Sequence, residues 1–185
     1  MKFLPLVFLF ALTISFSASA QLTVGDPAPT FSAKDDANNT WNAADYIGKK
    51  VLVVYFYPAA MTGGCTKQAC AFRDDKSQLD DLDAIVVGIS GDEVENLKYF
   101  KEAHNLNFPL LADPDGSIAS KFDVKTKDGG SIVRNIGGVD LTLERGITTS
   151  RWTYVIDKQG KIAFVNTEVN AAEDSKQTIE VIKNL

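Results

Sequence analysis

Thiols and imidazoles are scarce in this chain: its 185 residues include two cysteines and one histidine. The lone His104 excludes a histidine-rich metal cluster. Basic residues are in the minority, 19 Lys and Arg against 24 Asp and Glu, for a formal net charge of −5. That balance weighs against nucleic acid or an anionic membrane surface as a partner. Internal repeats and low-complexity tracts are absent. The apolar run over residues 3–16 falls short of the roughly 20 residues that a membrane span needs. No cysteine follows Ala20, so a lipid anchor on the residue after it is not expected.

What is present begins with a leader. Lys2, the apolar run and Ala18-Ser19-Ala20 stand in the order of a secretory signal with its small-residue cleavage site. Residues 1–20 are therefore read as a signal peptide and 21–185 as one exported domain, with an uncleaved N-terminal anchor as the alternative. The bacterial periplasm is the expected location, and full secretion is the other option. Loss of Lys2 makes the mature chain one unit more acidic. Its length suits a single domain with a proper core.

Two continuous apolar runs, residues 51–57 and 84–90, read as strands buried on both faces. Residues 65–82 read as one helix, 92–104 as another with Asp92 and Glu93 at its positive end, and 118–122 as a turn or two. Residues 151–157 and 162–165 form a hairpin through Lys158-Gln159-Gly160-Lys161, and an amphipathic helix over 171–185 closes the chain. Residues 41–47 read as a connector. The stretch 125–150 is the least legible, with short strands expected at 132–133 and 141–143. Strands and helices in this order predict an α/β layered domain.

The two thiols, Cys65 and Cys70, lie where the first strong strand gives way to a helix. A thiol in the first turn of a helix feels aligned backbone dipoles and unpaired N–H groups, which favour the thiolate. The thiolate is the reactive form, so this position points to redox chemistry. A plain structural disulfide is the competing reading for two cysteines in an exported chain. Such a bridge would close a short loop and gain little chain entropy.

The segment Tyr55-Phe56-Tyr57-Pro58-Ala59-Ala60-Met61-Thr62-Gly63-Gly64-Cys65-Thr66-Lys67-Gln68-Ala69-Cys70-Ala71-Phe72-Arg73-Asp74 resembles the peroxiredoxins, and most of all their peroxiredoxin Q or bacterioferritin-comigratory branch. Pro58, Thr62 and Cys65 meet the family's P-x-x-x-[TS]-x-x-C signature, and a second thiol five residues on is the mark of the branch. Phe108-Pro109-Leu110-Leu111-Ala112-Asp113-Pro114-Asp115-Gly116 and Arg151-Trp152-Thr153-Tyr154-Val155-Ile156-Asp157 extend the match. The resemblance implies a thioredoxin-like fold, with a central mixed sheet flanked by helices, and a thiol peroxidase that works without metal, haem or flavin. It implies that Cys65 is peroxidatic and Cys70 resolving, with a disulfide between them. Thr62 would donate and accept hydrogen bonds at the peroxide, Arg151 would hold the thiolate and polarise the O–O bond, and Pro58 would shield the pocket from water. It also implies a thioredoxin- or glutaredoxin-like electron donor and a monomer.

Elementary chemistry agrees with these roles. Peroxide is an electrophile at oxygen, so its attacker must be a thiolate, formed below the free thiol value of about 8.5. The leaving oxygen gains negative charge that N–H and guanidinium donors stabilise. Gly63 and Gly64 keep side-chain bulk away from the substrate. Helix positions five apart rise by about 7.5 Å, so a Cys65–Cys70 bridge demands local unwinding. Two departures from the branch pattern stand out. Gly63 replaces the usual Pro, which frees the loop, and Gln68 replaces the usual Glu. Without the resemblance, Thr62 reads as a helix cap, Arg151 as a surface charge, His104 as a solvated helix-end residue, and Arg73 and Asp74 as a local ion pair, with Arg73 open to a supporting role near Cys65.

Two other functions compete. A thioredoxin-type disulfide oxidoreductase normally uses C-x-x-C, whereas four residues intervene here. A Sco-type copper carrier would use soft thiolates for Cu(I), but with three intervening residues and a distant histidine.

Overall fold

A computed structural model describes residues 22–185; the signal-peptide reading of residues 1–20 falls outside the described residues. β1 (Ser32–Asp35) and β2 (Thr40–Asn42) form a small hairpin, followed by a 3-10 turn over Ala43–Asp45. β3 (Val51–Phe56) leads into α1 (Gly63–Asp74) and α2 (Lys76–Asp81). β4 (Ala84–Ser90), α3 (Val94–His104), β5 (Leu110–Ala112) and α4 (Ser117–Lys121) come next. A long hairpin, β6 (Thr126–Ile136) and β7 (Val139–Thr149), precedes β8 (Trp152–Ile156), β9 (Ile162–Asn166) and α5 (Asp174–Ile182).

Seven strands form one sheet in the order β2-β1-β5-β4-β3-β8-β9. β3, β4 and β5 run parallel and every other neighbour is antiparallel. The sheet is mixed and the helices flank it, as the sequence predicts.

β3 is the axis of the core. Successive strand residues point to opposite faces, so Val53, Tyr55 and Tyr57 join one apolar cluster with Phe72, Leu79, Leu97, Phe100 and Ile179. Leu52, Val54 and Phe56 join the other, with Trp41, Ile118, Phe122, Trp152 and Tyr154. β3 thus has helices over one face and the β2, α4 and β8 side chains over the other. This explains why its sequence is apolar without alternation.

Several boundaries differ from the sequence reading. The helix expected over 65–82 starts two residues earlier and breaks at Asp75, whose backbone (φ −90°, ψ 5°) is not helical. The Asp75 carboxylate accepts hydrogen bonds from Ser175 Oγ (2.7 Å) and Gln78 Nε2 (3.2 Å), which pins the break against α5. Residues 41–47 hold a strand end and a 3-10 turn rather than a plain connector. The stretch expected to hold two short strands is one continuous hairpin of two 11-residue strands. Most of its residues are exposed or half-buried, so no apolar alternation marks it in the sequence.

Candidate active site

The topology assembles the site at the end of β3. β8 pairs antiparallel with β3, with Trp152 opposite Phe56 and Thr153 opposite Tyr55. Arg151, the residue before β8, is therefore delivered to the end of β3, beside the start of α1. The Arg151 Nη2 atom lies 3.4 Å from Cys65 Sγ, within hydrogen-bond reach for sulfur. Cys65 is in the first turn of α1 and only 1% exposed, while Gly63 and Gly64 beside it are exposed. The sulfur thus sits in the first turn of a helix, with a guanidinium beside it.

The two glycines are not equivalent. A Cβ on Gly64 would stand 3.2 Å from Arg151 Nη2, whereas one on Gly63 would meet nothing within 4 Å among the described residues. Gly64 is what lets the guanidinium close over the helix start. Gly63 faces open space.

Thr62 holds the N-cap position of α1, but its side chain makes no capping bond. Its hydroxyl donates to the Ala59 carbonyl at 2.8 Å. The capping reading is thereby corrected: the hydroxyl proton is spent on the loop, and the oxygen lone pairs are left to accept. Pro58 is half-buried and lines a shallow depression with Lys125, Thr149 and Ser150, at the base of the long hairpin. Arg151 lines an adjoining depression of about 480 Å³ with Ser150, Trp152 and Glu168. A larger one of about 620 Å³ lies elsewhere, between α3 and the β1–β2 turn; neither cysteine lines any of the three.

Cys65 and Cys70 are both free thiols, and α1 runs unbroken through both. Cys65 faces the core, and Cys70 is half-buried. Arg73 forms the expected ion pair with Asp74 (2.8 Å), and its Nη1 also donates to the His104 carbonyl at 2.6 Å. His104 is half-buried, its ring edge-on to Phe100, rather than solvated. Burial, and then the Arg73 charge, push its pKa below the ordinary imidazole value.

Three residues absent from the sequence reading of the site hold it in place. Asp92, expected as a helix-start charge, lies before α3 and is 2% exposed. Its Oδ2 accepts from the Ala60 backbone N–H and from Ser90 Oγ, both at 2.8 Å. Burial raises its pKa from the ordinary carboxylate value, against the pull of these bonds. Arg134 of β6 donates from Nε to the Met61 carbonyl at 3.0 Å. Met61 sits in the left-handed region (φ 59°), a conformation uncommon for a side-chain-bearing residue. The loop between β3 and α1 is therefore tied from both sides. The third is Asp174, buried at the start of α5, which accepts from Gln68 Nε2 at 2.7 Å. The sequence signal for Asp92 was its place after a buried strand; nothing local pointed to Asp174.

The AhpC/TSA family model matches residues 24–165. Peroxiredoxin Bcp of Bacillus subtilis is 35% identical over 164 residues, covering 89% of this chain and 97% of that protein. A putative peroxiredoxin of Mycobacterium tuberculosis is 42% identical over 153 residues, covering 83% and 90%. Among solved structures, peroxidoxin BcpB of Mycobacterium tuberculosis superposes with a TM-score of 0.74 at 29% identity, covering 89% of this chain and 99% of that one.

Proposed function

Because this chain belongs to the AhpC/TSA family and is a thiol-dependent peroxidase of the peroxiredoxin Q/Bcp kind, we propose that Cys65 is its peroxide-reacting thiol and Cys70 its resolving thiol. The single observation that supports the first role is the Arg151 guanidinium 3.4 Å from Cys65 Sγ at the start of α1. The similarities favour neither a general disulfide oxidoreductase nor a copper carrier.

In the proposed reaction the Cys65 thiolate attacks the terminal peroxide oxygen. An S–O bond forms as the O–O bond breaks, and the departing oxygen leaves with a proton as water or an alcohol. Arg151 stabilises the charge that develops on that oxygen. The Thr62 hydroxyl, its own proton held by the Ala59 carbonyl, accepts the hydrogen bond of the incoming peroxide. Pro58 borders the approach and limits water. The Cys65 sulfenic acid then condenses with the Cys70 thiol, forming the S–S bond and releasing water. A dithiol donor of the thioredoxin or glutaredoxin kind supplies two electrons to restore both thiols.

We place this chemistry in the periplasm, or outside the cell, on the strength of the leader-like N-terminus, and we propose a monomer because both thiols lie on one helix. An oxidising compartment makes the donor a necessity, since the bridge would otherwise persist. Recovery of a mixed disulfide by a Cys70→Ser trap from a periplasmic extract is the expected result; an empty trap would count against a dedicated donor. Peroxide consumption with dithiothreitol tests the thiol roles. Turnover is expected to vanish in Cys65→Ser, and Cys70→Ser is expected to accumulate a sulfenic acid. Full turnover in Cys65→Ser would refute the assignment.

A further inference from the structure

Behind Arg151 lies a buried carboxylate that the reaction above does not use. Asp174, the first residue of α5, is 1% exposed. Its Oδ2 accepts two hydrogen bonds, from Gln68 Nε2 at 2.7 Å and from Thr153 Oγ1 at 2.8 Å. Its Oδ1 is buried with no hydrogen-bond partner among the described residues. Gln68 is wholly buried, and its Oε1 accepts from Arg151 Nη1 at 2.5 Å. The other terminal nitrogen of the same guanidinium is the one that reaches Cys65 Sγ. A continuous line of polar contacts thus runs from α5, through α1 and Arg151, to the sulfur.

We propose that Asp174 is a positioning residue for the peroxidase reaction: it fixes the orientation of the Gln68 amide, and Gln68 in turn fixes the Arg151 guanidinium over Cys65. The inference rests on the reading of Cys65 as the peroxide-reacting thiol.

The physical need for such a residue follows from Gln68 itself. An amide has nearly the same shape when turned by 180°, but donor and acceptor exchange places. Turned, Gln68 would set an N–H donor against the N–H donors of Arg151, and the guanidinium would have to move. A Glu at this position would have no such ambiguity, because both of its oxygens accept. With Gln, something else must select the orientation. Asp174 Oδ2 does so by accepting, since it leaves Nε2 no competing role and turns Oε1 toward Arg151. Burial raises the Asp174 pKa against the pull of Thr153, Gln68 and Arg151. A proton on Oδ1 would leave Oδ2 free to accept both bonds, so the amide is held in either protonation state. The titratable groups around this set are Tyr55 of β3, Cys65 and Cys70 of α1, and Arg151 before β8.

The test is the second-order rate of reduced protein with hydrogen peroxide from pH 4 to 9, in a Cys70→Ser background so that only Cys65 reports. Asp174→Ala is expected to slow the reaction by on the order of tenfold or more, since misplacing a reacting group by an ångström has effects of that size. The pH midpoint of reactivity is expected to rise, because the guanidinium has drifted from the sulfur. Simple removal of a negative charge would lower that midpoint instead, so the direction separates positioning from charge. Asp174→Asn, which keeps one acceptor oxygen, is expected to recover part of the rate. In a Gln68→Ala background, Asp174→Ala should add no further loss, since Gln68 is its route to Arg151. An unchanged rate and midpoint, a lowered midpoint, or a full additional loss in the Gln68→Ala background would each overturn the inference. If Asp174→Ala does not fold, Thr153→Val loosens the same carboxylate and carries the test. It is expected to move the midpoint upward by less, and no movement would be decisive against the inference. A background protein that does not react with peroxide at all would instead bring down the Cys65 assignment on which this rests.

Discussion

At the scale of single residues, the proposed reaction depends on how closely Arg151 approaches Cys65, 3.4 Å in this structure. Replacing Arg151 by Ala is expected to lower the peroxide rate by about 10²–10³-fold, the usual effect of losing one donor to a developing oxyanion. Stopped-flow oxidation of the reduced protein measures it, and a loss under threefold would contradict the role. Gly64→Ala is a finer probe. Its Cβ, at 3.2 Å from Nη2, forces the guanidinium to give by a few tenths of an ångström. A severalfold slower reaction with an unchanged melting temperature is expected, while Gly63→Ala, facing open space, should leave the rate alone. Cys65, Cys70, Thr62 and Pro58 sit in one short segment with a recognisable spacing, so the sequence singles them out as candidates. Arg151 required the resemblance, since 86 residues separate it from Cys65. Asp174 was illegible: its contact with Gln68 spans 106 residues, and a lone Asp at a helix start reads as an ordinary N-terminal charge.

At the scale of elements, the proposed Cys65–Cys70 bridge conflicts with the helix that carries both thiols. Both thiols lie on one continuous helix, and five residues of helix separate them by too much rise for a bridge. Oxidation is therefore expected to melt α1 locally between Cys65 and Phe72. Faster amide exchange over that span and weaker far-ultraviolet helical signal in the oxidised protein would confirm it, whereas matching spectra in the two redox states would contradict it. The loop before α1 is held differently, by Asp92 at Ala60 and by Arg134 at Met61. The raised Asp92 pKa means that the folded protein binds this proton more tightly than the unfolded chain does. Its stabilising contribution is thus complete below the unfolded value and is lost as pH rises through the folded one. Asp92→Asn keeps an acceptor for Ala60 and Ser90 but removes the buried charge. Its melting temperature relative to the original protein should climb as pH rises from 4 to 8, and a constant difference would refute the reading. The element pattern was legible where strands are buried on both faces, as in β3 and β4. It failed at β6 and β7, where partial exposure on both faces erases the alternation that marks a strand. The break at Asp75 was hidden for a related reason: it is fixed by Ser175, 100 residues away.

At the scale of the whole molecule, the order of strands explains why one site emerges from distant segments. The parallel core β3–β4–β5 places its strand ends together, and antiparallel β8 returns the chain to that same end. The long hairpin then lies against the end of β4. Gly91 permits this approach, as a Cβ there would stand 2.2 Å from the Ile147 carbonyl oxygen. Gly91→Ala is accordingly expected to lower stability and loosen the hairpin, visible as a reduced melting temperature; an unchanged value would speak against tight docking. The α/β class was readable from element order and the mixed sheet from the family resemblance, whereas the docking of the hairpin depends on backbone contacts that leave no mark in local sequence. In the proposed reaction one protein molecule reduces one peroxide by oxidising its own two thiols. The most direct test is a single turnover: fully reduced protein mixed with one equivalent of hydrogen peroxide, followed by a thiol count and mass analysis of the segment holding Cys65 and Cys70. Loss of both thiols, with that segment two hydrogens lighter and no oxygen added, is the expected result. Cys65 carrying added oxygen while Cys70 stays free, or no loss of thiols at all, would contradict it.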